Sequence, residues 1–125
     1  MEKGDSMLIS QNGTLTYQLS ALETIGAFSF SPTASVENIL DVKIVDNPWT
    51  TEVLRGIRAP GTGFPYLIML GTMRHRKGKD FCVVYKRRPV IVLELKNEKF
   101  KRWVIPATAE SVNSLRNLGL VNQPA

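Results

Sequence analysis

The residues best placed to do chemistry are cationic. Eleven basic side chains fall between Gly71 and Arg102, against three acidic ones, Asp80, Glu94 and Glu98. That stretch carries an excess of eight positive charges and the rest of the chain a net −3, which gives the overall +5. The basic residues come in three groups: Arg74, Arg76, Lys77 and Lys79; Lys86, Arg87 and Arg88; and Lys96, Lys99, Lys101 and Arg102. Ammonium and guanidinium groups that converge from separate turns can bind the phosphates of a nucleotide, a lipid headgroup or a nucleic-acid backbone. Scattered over a surface, the same groups only solvate it and protect strand edges.

Other reactive residue types give less. His75 is the only histidine, which excludes a multi-histidine metal site. It lies in the charged run Arg74-His75-Arg76-Lys77, where its neighbours disfavour the protonated ring and no local carboxylate orients it for a catalytic triad. Cys82 is the only cysteine, so no internal disulfide can form, and its setting in Phe81-Cys82-Val83-Val84-Tyr85 reads as core. Arg58-Ala59-Pro60-Gly61-Thr62-Gly63 superficially resembles a phosphate-cradling loop but lacks the following Gly-Lys-Ser/Thr. It reads better as a structural glycine turn. Asp41, Asp46 and Glu52 lack the ligand spacing and central glycine of a calcium loop, and Glu94 and Glu98 merely flank a turn. Phe81, Tyr85 and Phe100 fall in strand patterns and Trp49 and Trp103 read as core or flap, so no strong nucleic-acid stacking signature emerges. No cofactor or metal is expected, and no catalytic residue is assigned.

The elements that must position these residues are mostly strands. Leu15, Tyr17, Leu19 and Ala21 alternate with polar residues, the period of a half-buried strand. A second β segment is expected over Thr24 to Phe30, and a third over Ile39 to Val45 after a short turn at Val36 to Asn38. Asp46 to Gly63 is irregular and broken by Pro48, Pro60, Gly61 and Gly63. Trp49, Val53, Leu54 and Ile57 anchor it, and it is expected to form a packed flap with one helical turn or a short edge strand. Tyr66–Thr72, Asp80–Tyr85, Pro89–Leu95 and Lys101–Ile105 then read as four strands in an antiparallel meander, with Ile91, Leu93 and Leu95 facing the core. Thr108 is the expected N-cap of a closing helix whose apolar stripe is Ala109, Val112, Leu115 and Leu118, ended by Gly119.

Connections reverse the chain, so alternate turns share an end of the sheet. The basic residues therefore divide. Arg74, Arg76, Lys77, Lys79, Lys96 and Lys99 are expected at one end, opposed by Glu98, and Lys86-Arg87-Arg88 at the other.

Several strings, Arg58-Ala59-Pro60-Gly61-Thr62, Leu70-Gly71-Thr72, Gly78-Lys79-Asp80-Phe81, Arg88-Pro89-Val90-Ile91-Val92-Leu93-Glu94-Leu95 and Arg102-Trp103-Val104-Ile105, resemble a group of small bacterial pleckstrin-homology-like proteins. The similarity runs over roughly residues 15 to 118. Pro106-Ala107-Thr108-Ala109-Glu110 departs from the Asp-Pro-Glu-like start of that group's last helix. The resemblance implies a mainly β (α+β) fold, a roll of about seven antiparallel strands capped by one C-terminal helix, and implies no particular activity.

The expected organisation is a flexible tail over residues 1–13, one such domain over 14–119 and a short tail over 120–125. Composition is ordinary for a globular chain, at 43% hydrophobic and 22% charged residues. No apolar run approaches the roughly 18 residues that cross a bilayer, and a cytoplasmic protein is the default expectation. The functional expectation is a non-catalytic binding or scaffolding module for an anionic ligand or acidic protein surface. The alternatives are a self-assembly domain acting through its sheet edges and, last, a small hydrolase with Asp46 to Gly63 as a lid.

Overall fold

The structure, a computed structural model, describes residues 7–20, 31–64 and 66–120. Its nine strands are β1 (Met7–Gln11), β2 (Thr14–Gln18), β3 (Thr33–Ser35), β4 (Ile39–Val45), β5 (Ile57–Phe64), β6 (Ile68–His75), β7 (Gly78–Tyr85), β8 (Val90–Leu95) and β9 (Arg102–Pro106). Among the described residues a 3-10 turn, Val36–Asn38, precedes β4, and a C-terminal helix, α1 (Ala109–Asn117), follows β9. The fold is mainly β, in two sheets, ordered β1-β2-β3 and β4-β8-β9-β7-β6-β5. The β segment expected over Thr24–Phe30, with Ala21, lies outside the described residues.

The expected N-terminal tail is partly structured. Met7–Gln11 pairs with β2 through a two-residue turn at Asn12-Gly13, whose φ angles of 53° and 79° are those of a type I′ hairpin. Asn-Gly between alternating residues is a hairpin signal, and it was present in the sequence. Leu8 is buried beside Leu15 and Tyr17.

The four C-terminal strands are not a simple meander. β9 lies between β8 and β7, antiparallel to the first and parallel to the second. Lys86–Pro89 therefore steps over one strand, roughly 10 Å, which four residues span without strain. Burial explains the exchange: Trp103, Val104 and Ile105 are almost wholly buried, so β9 takes a central position covered on both faces. β8 is equally apolar, with Ile91, Leu93 and Leu95 on one face, as expected, and Val90 and Val92 against the other.

The two faces have separate cores. Leu15, Phe81, Leu93, Trp103, Ile105 and Leu115 belong to one, under the three-stranded sheet and α1. Cys82, Val84, Val90, Val92 and Val104 belong to the other, under the segment after β4. That segment contains one helical turn, in which Leu54 N–H donates to the Thr50 carbonyl at 2.8 Å, and it leads directly into β5. Residues 58–63, expected as a glycine turn, are edge strand instead. Their register slips between Arg58 and Gly61, a bulge that accommodates Pro60.

α1 starts as expected: the Thr108 hydroxyl accepts from Ser111 N–H at 3.1 Å. It ends with Gly119 N–H donating to the Arg116 carbonyl and Leu120 N–H to that of Leu115, a Schellman pattern. Leu115 is fully buried, Val112 and Leu118 pack beside it, and Ala109 is exposed while Ser111 takes the inward position. No helix among the described residues is long and apolar enough to cross a membrane.

Candidate functional site

The basic hairpin is tighter than its sequence suggested. β6 and β7 stay paired to His75 and Gly78, so only Arg76 and Lys77 form the turn, and both are exposed. Arg74 is opposite Lys79 in the register, which places both on one face of the ladder. The β8–β9 turn comes to the same end. Lys101 N–H donates to the Lys79 carbonyl at 2.8 Å, and the Lys101 side chain lies against Gly78, where a Cβ would meet its Cγ at 3.0 Å.

Phe100 is the meeting point. Lys79 Nζ and Lys99 Nζ each lie 5.5 Å from its ring centroid, at the range of a cation–π contact. The ring is buried and tilts against Phe81, 5.6 Å between centroids, so packing fixes the group on which the two cations converge. Beside it, Ser31, Pro32, Thr33, Glu98, Lys99 and Phe100 line a concavity of about 300 Å³. Glu98, the acid expected to oppose the lysines, is committed elsewhere: its Oε2 accepts from Ser35 N–H at 3.0 Å and from Asn38 Nδ2 at 2.6 Å.

Of the six expected residues, Lys79 and Lys99 share the Phe100 ring, Arg74 stands across the ladder from Lys79, and Arg76 and Lys77 crown the hairpin. Lys96 opens the β8–β9 turn, its amide held by the Asn38 carbonyl at 3.0 Å. Sequence reasoning left Lys101 out of this group, because only the parallel docking of β9 on β7 brings it to Gly78. Arg102 is drawn away, bound through Nε and Nη2 to Glu94 at 2.8 and 2.7 Å and through Nη1 to the Glu52 carbonyl. At the opposite end Arg87 stacks on Tyr66, 4.6 Å from the ring centroid.

A second polar centre sits on the other face of the sheet. Asp80 is fully buried and accepts from Arg55 Nε at 2.8 Å, Arg55 Nη2 at 2.7 Å and His75 Nε2 at 3.0 Å. Thus His75 does have an orienting carboxylate, five residues along the chain, brought to it by the β6–β7 hairpin. Lys77 N–H donates to His75 Nδ1 at 3.3 Å, which places the ring proton on Nε2 and leaves neither nitrogen over for a substrate. Hydrogen bonding to Asp80 raises the Arg55 pKa, with burial acting in the opposite sense. Burial, reinforced by Asp80, pushes the Cys82 thiol far up, so it stays protonated. Among the described residues no group of three or more His, Cys, Asp or Glu side chains is arranged to hold a metal ion.

No family model matches the chain, and no curated protein or solved structure does either. The pleckstrin-homology-like resemblance therefore rests on its sequence motifs alone.

Proposed function

We propose that this chain is a non-catalytic binding module for a phosphate-bearing ligand, seated where the β6–β7 hairpin meets the β8–β9 turn. The observation that carries this reading is the convergence of Lys79 and Lys99, from different strand connections, on the buried ring of Phe100. Arg76 and Lys77 stand on the same hairpin and Lys101 lies across Gly78, while Glu98 is held by Ser35 and Asn38. The result is a cluster of cations gathered around one buried ring, an arrangement that suits the oxygens of a phosphate-bearing ligand. A non-catalytic role is supported by the commitment of both His75 nitrogens and by the inert setting of Cys82.

The test is calorimetric titration of the full chain with tripolyphosphate, ATP and a short single-stranded oligonucleotide at low salt. Lys79→Gln with Lys99→Gln should weaken binding at least tenfold, whereas Arg87→Gln at the far end should leave it unchanged. Equal loss in both variants would mean only diffuse charge attraction, and absence of binding to every probe would sink the reading.

A further inference from the structure

The six-stranded sheet has two edges among the described residues, and they are built differently. β5 is guarded: its register slips at Pro60, which has no amide proton to offer a neighbour. In the smaller sheet, β3 has only three residues, and β1 lies under α1, with Ser114 Oγ donating to the Leu8 carbonyl at 3.3 Å. β4 is the other edge of the large sheet. Seven residues long and free of proline, it pairs regularly with β8 from Asp41 to Val45.

Its outward side is self-complementary. Asp41 and Lys43 are both exposed and, two residues apart, share a face. Val42 N–H donates to Asp41 Oδ1 at 2.9 Å rather than to β8, so this amide points away from the sheet. Leu40, at the register shift, is 61% exposed, one of three large apolar side chains so exposed among the described residues.

We infer that β4 is a homodimer seam, pairing antiparallel with β4 of a second copy about a two-fold axis at Val42. In that register Asp41 of each chain faces Lys43 of the other, and Leu40 faces Ile44. A shift by one residue to either side of the axis sets Asp41 against Asp41, or Lys43 against Lys43. Like charges directly opposed are unfavourable, so the charge pattern selects one register. On pairing, the Asp41 carboxylate leaves the Val42 amide for Lys43 of the second copy, and that amide passes to the facing Val42 carbonyl. The two six-stranded sheets become one. An isologous contact of this kind closes on itself and does not propagate into fibres. The seam is short, so the dimer is a weak one that forms with concentration and loosens with salt. It is independent of the ligand reading, because neither Asp41 nor Lys43 belongs to the cationic cluster around Phe100.

Sedimentation equilibrium of the full chain at low salt tests the inference. The mass should rise from 14.0 kDa toward twice that value with increasing concentration. Asp41→Lys and Lys43→Asp should each weaken the dimer at least tenfold, and the double charge swap should restore it. Such a restoration cannot come from damage to the fold, which circular dichroism checks in each variant. A 14.0 kDa monomer at every concentration would overturn the inference. So would single variants that associate as the parent does, or a double swap that fails to recover.

Discussion

The two faces of the large sheet are covered by opposite means. One is closed by regular structure, three strands and α1, and its contacts are almost all apolar: Leu15, Phe81, Leu93, Trp103, Ile105 and Leu115 are each fully or nearly fully buried. The other is closed by the stretch between β4 and β5, which has one helical turn and offers chiefly Trp49, Val53 and Leu54. What that cover lacks in apolar area is supplied by polar fasteners. Arg55 grips Asp80, Arg102 reaches the Glu52 carbonyl, and Trp49 Nε1 donates to the Lys86 carbonyl at 2.7 Å. A regular layer is held by area and an irregular one by a few directional bonds, so the two should fail differently when a single residue is removed.

Removing the ring that supports the apolar face should have the largest effect. Trp103→Ala empties the centre of β9 and should cost about 4 kcal/mol in denaturant unfolding, with every region losing stability together. A loss below 1 kcal/mol would show that the regular face is not held by its core. Asp80→Ala, on the other face, should cost about 2 kcal/mol. That figure is held down because the Arg55 side chain is 27% exposed and partly solvated without its partner. Its signature is local: amide exchange and protease cutting should rise over residues 46–56 ahead of global unfolding. A uniform loss would erase the proposed distinction.

The smallest effect is a pH dependence from Cys82. Its pKa is raised on folding, so above the ordinary thiol value of about 8.5 the unfolded chain releases a proton that the native chain keeps. Stability is therefore undiminished below that pH and falls above it, by roughly 1 kcal/mol one pH unit higher. Cys82→Ala should flatten the alkaline slope relative to the parent. Matching slopes in the two proteins would place the pH dependence elsewhere.

Much of the apolar face was legible in the sequence. The alternation through Leu15, Tyr17 and Leu19, the expected inward set Ile91, Leu93 and Leu95, and the capped helix at Thr108 are local patterns that burial enforces. The polar fasteners were not. His75 and Asp80 meet only because the β6–β7 ladder continues to a two-residue turn, and Arg55 reaches them from a segment with no periodicity. The converging lysines stand between these cases. Alternating turns foretold a shared end for the two basic groups, but the role of Phe100 and the place of Lys101 depend on β9 docking parallel to β7. That is a pairing between segments some twenty residues apart, with no local signal. The Asn12-Gly13 hairpin had a local signal, and it was outweighed by the polar character of the residues around it.

The position of β9 also has a kinetic consequence. Within the large sheet, β4 and β8 on one side and β5, β6 and β7 on the other touch only through this strand. Both groups can pair internally as they leave the ribosome, yet neither can join the other until Trp103 to Ile105 has been synthesised and has slid between them. The sheet is closed by its last strand, with a parallel contact that local turns cannot nucleate, which places this chain among slowly closing topologies despite its many tight hairpins.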